Sequence, residues 1–217
     1  MERSLIANTL WPLTGLFVSA SIGMVQPILA IYFYRDLGFS LEFVGFAIAA
    51  TFVATIVTKI PTGFVGANRA RLLTVIGYTI TMMMPVLYIF FQDIYMILLL
   101  RVIHGLGFTL TLVPPLTLCS FLINESQAKK VITKFTTGTA TGYMLGPLLA
   151  TFIIGFSGIK EALVFASLLG IPAILIAIGV RTNVPIKKSS VGGFSSLART
   201  ITIRGVIFAS VISAGIF

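Results

Sequence analysis

Two side chains in this sequence carry chemistry that their surroundings do not explain. Arg101 and His104 stand in the stretch Arg101-Val102-Ile103-His104-Gly105-Leu106-Gly107-Phe108, inside an otherwise apolar run from Ile94 to Ile123. A guanidinium stays charged at any biological pH and offers five N–H donors, which suits it to anions. His104 is the only histidine of the chain, and an imidazole can take up or release a proton near neutral pH. The surrounding run is long enough to cross a bilayer, which takes roughly 20 apolar residues. Placing a charge there costs at least ~2.5 kcal/mol on the mildest scale, so an intramembrane Arg points to function.

Arg101, His104, Gly105 and Phe108 follow i, i+3, i+4, i+7 spacing and share one face of a helix. Counted from Ile94, Arg101 lies about 10 Å below one membrane boundary and His104 about 15 Å, near the midplane. Each has a simpler reading. Arg101 is just close enough to snorkel to the interface along its own stem. His104 is too deep for that, and its simpler role is a neutral imidazole bonded to a neighbouring helix.

The rest of the chain must hold these two residues in the membrane, and its composition suits the task. Of the 217 residues 57% are hydrophobic and 10% charged, with a mean hydropathy of +1.07. Soluble domains carry about 25% charged residues, so this is a membrane protein with the lipid bilayer as its first partner. The net charge of +9 does not signal nucleic acid, because the basic residues sit in short loops between apolar blocks and not on one face of a soluble module. One cysteine, Cys119, rules out a disulfide framework and a multi-cysteine metal site. Nothing in the pattern calls for a metal or a cofactor.

Six apolar spans are expected: Ile6 to Phe33, Glu42 to Val65, Leu72 to Phe91, Ile94 to Ile123, Phe135 to Phe156, and Ala162 to Val180. Ser40 is placed to cap the second. Residues 1–180 thus form a six-helix bundle, and a basic linker follows over 181–204. Residues 205–217 then open another apolar run that reaches only about 20 Å, short of a ~30 Å hydrocarbon core. The sequence is therefore expected to be a piece of a longer protein or the product of an interrupted reading frame.

Loop charges orient the bundle. Arg3, Arg69, Arg71, Lys129, Lys130, Lys134, Arg181, Lys187, Lys188, Arg199 and Arg204 fall on one side, and only Arg35 and Lys160 on the other. Basic residues collect in the cytoplasm, so the N-terminus is expected there. Every span carries proline: Pro12 and Pro27, Pro61, Pro85, Pro114 and Pro115, Pro147, Pro172. Membrane helices tolerate the resulting kinks where neighbours satisfy the freed carbonyls.

Three motifs now stand in order. Gly63-Phe64-Val65-Gly66-Ala67-Asn68-Arg69-Ala70-Arg71 follows the second span; Arg101, Gly105 and Gly107 mark the fourth; Gly138-Thr139-Ala140-Thr141-Gly142-Tyr143-Met144-Leu145-Gly146-Pro147 lies in the fifth. Gly138, Gly142 and Gly146 recur every four residues, a spacing that lets two membrane helices approach closely. Together these motifs resemble the N-terminal six-helix half of a major facilitator superfamily transporter, over essentially the whole chain. The first motif departs from the family pattern: Gly63 and Arg71 match, but Ala67 stands where the family has Asp and Ala70 where it has Gly. The fifth-span motif lacks the paired glycine that should follow Pro147.

The resemblance implies an all-α bundle of six transmembrane helices in two inverted three-helix repeats, plus the start of a seventh. It implies a secondary active transporter, not an enzyme, that moves a small solute by alternating access together with a C-terminal half absent from this chain. Arg101 would then favour an anionic group. His104 would be the one titratable candidate for a coupling proton, since no Asp or Glu lies inside a span. Gln26 would join the cavity wall, because the first and fourth spans line it in the family; Tyr78 and Tyr143 read as interhelical hydrogen bonders. The alternative is a truncated, non-transporting membrane protein, or a half-transporter that pairs with another half. An intramembrane enzyme would need a nucleophile with a base or a metal cluster. His104 and Cys119, about four helical turns apart, supply neither.

Overall fold

The computed structural model describes residues 2–65, 67–121 and 125–179. The linker and the seventh apolar run, and with them the basic residues from Arg181 onward, lie outside the described residues, as does the side chain of Arg3. The first span is α1 (Glu2–Ile31), which widens into a π-helical turn over Tyr32–Asp36. Then come α2 (Leu41–Gly63), α3 (Ala67–Phe90), α4 (Ile94–Phe121) and α5 (Glu125–Phe156). The last span is made of α6 (Ile159–Leu169) and α7 (Ile171–Gly179). Among the described residues, six helical segments are long and apolar enough to cross a membrane.

Local chemistry sets the turns before α2, α4 and α6. Gly38 has φ +70°, a backbone that suits glycine, and two residues later Ser40 Oγ accepts the N–H of Phe43 at 3.3 Å to open α2. Asp93 Oδ1 does the same for α4, accepting from the amides of Tyr95 at 2.9 Å and Met96 at 3.2 Å. Gly158, at φ +118°, turns the chain into α6.

Several features of the spans differ from the sequence expectation. Helix α3 begins at Ala67, so Arg69 and Arg71 lie in its first turns and not in a loop. Helix α5 begins at Glu125, ten residues before Phe135, because Glu, Gln, Ala and Lys form helix well and the segment is amphipathic. Ala128, Val131 and Phe135 are buried there while Lys129, Lys130 and Lys134 are exposed. A helix need not stop where the hydrocarbon does. The sixth span is interrupted at Gly170, just before Pro172, whose missing N–H belongs to the first turn of α7. Lys160 and Glu161, expected in the preceding turn, start α6 instead.

The packing follows the internal repeat. Helix α1 lies most extensively against α5, α4 against both α2 and α3, and the sixth span against α1 and α3. Exchanging the first three spans with the last three turns the α1–α5 pair into α4–α2, and the α3–α4 pair into the sixth span with α1. Three spans per repeat is an odd number, so the second repeat is inverted in the membrane. The exposed side chains of α2 and α5 include a long apolar set, Phe46, Val53, Val57, Ile60, Leu148, Phe152 and Phe156, as a lipid or protein neighbour inside the membrane requires.

Candidate functional site

Arg101 is completely buried on α4. Its Nε donates to the carbonyl of Ala47 on α2 at 3.0 Å, while Nη1 and Nη2 are buried without a hydrogen-bond partner among the described residues. Ala47 is six residues into α2 and Arg101 seven into α4, so the guanidinium reaches sideways at its own depth and does not snorkel. The described carboxylates, Asp36, Glu42, Asp93 and Glu161, are all exposed near helix ends. Among the described residues the charge of Arg101 has no counter-ion.

His104 lies one turn deeper on the same face and is also completely buried. Its Nδ1 is 3.1 Å from the hydroxyl of Tyr88 on α3, and its Nε2 is buried without a partner. The ring of Phe108 meets the imidazole edge-on, with centroids 4.4 Å apart. Tyr88, in turn, packs edge-on against Phe33 at 5.6 Å and interacts electrostatically with Arg101. So the imidazole is bonded to a neighbouring helix, as its simpler reading has it, but only through one nitrogen.

The other candidates fall elsewhere. Gln26 is half-buried on α1 beside the exposed Pro27, and no hydrogen bond joins it to Arg101 or His104. Tyr78 is buried and donates to Thr14 Oγ1 of α1 at 3.0 Å. Gly105 and Gly107 flank the site as contact points. Gly105 rests against Thr51 and Ala54 of α2, where a Cβ would come within 2.7 Å of the Ala54 methyl, and Gly107 rests on Thr81 and Ile80 of α3.

The glycines of α5 form a separate seam. A Cβ on Gly138 would stand 2.8 Å from the carbonyl oxygen of Pro12, one on Gly146 would stand 2.6 Å from that of Ala20, and Gly142 lies against that of Leu16. Three glycines thus ride over three α1 carbonyls at four-residue steps, close enough for Cα–H···O contacts. Pro147 cannot donate to the Tyr143 carbonyl one turn earlier. Gly23 of α1 lies directly over that oxygen, where a Cβ would approach to 3.0 Å.

Two features of the site were not singled out from the sequence. Along α2, Thr51, Thr55 and Thr58 face α4 in a ladder. Thr51 Oγ1 donates to the Arg101 carbonyl at 3.1 Å and Thr55 Oγ1 to that of Gly105 at 3.1 Å; Thr58 and Thr109 share a hydroxyl–hydroxyl bond of 2.7 Å. Their recurrence at i, i+4, i+7 was the available signal. The second is the contact made by Arg71, which the sequence marked only as a motif position and a basic loop residue. Its Nε donates to the Ala177 carbonyl at 3.3 Å and its Nη2 to that of Ile178, so it closes the C-terminus of α7. Gly63, the last residue of α2, has open space where a Cβ would stand.

A family model, Major Facilitator Superfamily, matches residues 13–217. The chain belongs to that superfamily. No curated protein and no solved structure matches it significantly. Membership agrees with the all-helical bundle and makes this a multi-pass membrane protein of a superfamily of transporters. Arg71 holds α7 by backbone carbonyls.

Proposed function

We propose that this chain is the N-terminal half of a secondary active transporter of the plasma membrane, with its N-terminus in the cytoplasm. It moves a small anionic solute by alternating access between this bundle and a second six-helix bundle. The observation that carries the reading is Arg101: a fully buried, permanently charged side chain whose two terminal nitrogens meet no hydrogen-bond partner in good geometry among the described residues, with only the neutral Tyr88 hydroxyl beside them. A membrane protein keeps such a group where a ligand or a partner bundle compensates it. His104, one turn deeper with Nε2 unpaired, is the group in this half that could carry a coupling proton, and Gln26 belongs to the α1 side of the path.

Uptake of a panel of organic and inorganic anions into vesicles holding the full-length protein tests this. Arg101→Ala abolishes uptake while the protein still reaches the membrane; retained uptake would overturn the role of Arg101. His104→Gln flattens the pH dependence of uptake, and an unchanged profile would remove the proton from the scheme.

A further inference from the structure

We propose that Arg101 and His104 together form an internal binding site for one small monovalent anion. The inference builds on the reading of Arg101 as the polar centre of a transporter, and it goes further by naming the ligand's size, charge and hydrogen-bonding character. It starts from three buried nitrogens without partners: Nη1 and Nη2 of Arg101 and Nε2 of His104. They lie on one face of α4, one turn apart, and the two side chains interact electrostatically.

The two guanidinium nitrogens can only donate. For His104 the tautomer decides, and its neighbours decide the tautomer. The Tyr88 hydroxyl sits on Nδ1 at 3.1 Å. When Tyr88 donates to Nδ1, the imidazole proton rests on Nε2, which turns that nitrogen outward as a third donor. In this tautomer the cluster offers donors and a positive charge, and the described carboxylates are all exposed and far along the helices. Its complement is an acceptor carrying negative charge.

Charge and size narrow the class further. One fixed positive charge balances one negative charge, so a monovalent anion leaves the site neutral, while a divalent one would bury an excess. Phe108 and Tyr88 flank the imidazole at centroid distances of 4.4 and 5.9 Å, and Ala47 closes the α2 side. With both side chains fully enclosed, the proposal is limited to a small ion: a halide, nitrate or a short carboxylate such as formate, and not a bulky polyol acid. Arg101 and His104 are wholly enclosed, so the anion enters only when α2 or α3 parts from α4, a movement that alternating access supplies.

The test is thermal unfolding of the purified full-length protein in detergent. Sodium chloride, bromide, nitrate and formate are titrated at constant ionic strength against sodium gluconate, which is too large to be enclosed. A small anion raises the unfolding midpoint saturably, by roughly 3–6 °C at ten times its dissociation constant. Arg101→Gln abolishes the rise, His104→Leu reduces it, and Arg69→Gln, an exposed arginine, leaves it intact. A rise with chloride alone assigns the site to an inorganic ion, and one with formate extends it to carboxylates. Identical midpoints in small anions and gluconate would overturn the proposal, as would an undiminished rise in Arg101→Gln. Should that variant fail to fold, the wild-type size series decides by itself. Because the readout is equilibrium stability and not flux, a protein that binds anions but does not transport keeps this proposal and loses the previous one. The converse result separates them equally well.

Discussion

The α1–α5 and α2–α4 seams occupy corresponding places in the two repeats, yet they are built from different chemistry. Both pair helices that run in the same direction and meet in four-residue steps: Pro12, Leu16 and Ala20 with Gly138, Gly142 and Gly146 in one, Thr51 and Thr55 with Arg101 and Gly105 in the other. The first seam brings bare backbones together. The second is stitched by hydroxyls and carries the one charge buried among the described residues. Lipid tails are as apolar as leucine, so membrane helices associate through close packing and interhelical hydrogen bonds. Each seam joins a helix of one repeat to a helix of the other; the bundle relies on the first means between α1 and α5 and adds the second between α2 and α4. The repeat therefore explains the shared geometry, and only the departure from it marks where the chemistry sits.

The largest expected effect comes from wedging the bare seam. Gly142→Leu drives a side chain into the Leu16 carbonyl and the Ala20 amide, backbone atoms that cannot rotate away. Overpacking costs typically 1–3 kcal/mol and more where nothing can move, so folded protein is lost from size-exclusion chromatography in detergent. Gly155→Leu, on the same helix but facing open space, leaves the elution profile unchanged. Equal damage from both would show that helix propensity, and not the seam, sets the requirement for glycine.

Arg101 is expected to break the comparison in the opposite sense. An uncompensated buried charge destabilises, and replacing buried ionic groups by apolar ones of similar volume is neutral or stabilising by about 1–4 kcal/mol. Arg101→Met therefore keeps or raises the unfolding midpoint in low-anion buffer while uptake collapses. A clear fall in the midpoint would mean that the Ala47 bond outweighs the cost of the charge, and that Arg101 belongs to the scaffold.

How much of this could be read from the sequence follows the physics of each feature. Span number and lengths were legible because hydrocarbon thickness imposes them, and the glycine and Arg101–His104 faces because the helical period does. What stayed hidden depends on which helix lies beside which. Nothing in one sequence says that Tyr88 returns from α3 to meet His104, or that the threonines of α2 find carbonyls on α4. Arg71 read as a marker of topology, whereas its partners Ala177 and Ile178 lie more than a hundred residues away. The extra turns of α5 were missed for another reason: hydropathy reports the edge of the hydrocarbon, and the amphipathic segment around Val131 continues past it.

That Arg71 contact supplies the next prediction. A cation on the last carbonyls of a helix contributes about 0.3–1 kcal/mol, up to ~2 when partly buried. Arg71→Gln should lower the unfolding midpoint by a few degrees, and Arg71→Lys, which keeps the charge but not the forked geometry, by less. Equal losses in the two variants would assign the effect to geometry alone.

The smallest effect sharpens the comparison most. Thr58 and Thr109 share one hydroxyl–hydroxyl bond, and each has a further acceptor, the Ala54 carbonyl at 2.7 Å for Thr58 and the Thr55 carbonyl at 2.9 Å for Thr109. Each hydroxyl has one proton, so only two of these three bonds form at a time, and the chain Thr109 to Thr58 to Ala54 is one consistent assignment. Replacing either threonine by valine keeps the shape and removes the bond. Interhelical hydrogen bonds in membranes average about 0.6 kcal/mol in double-mutant cycles. Thr58→Val, Thr109→Val and the double variant should therefore give a coupling near that value, measured by reversible unfolding in detergent. Zero coupling would mean that α2 and α4 are held by Gly105 against Thr51 and Ala54, in which case the two seams work alike and the threonines only fill space.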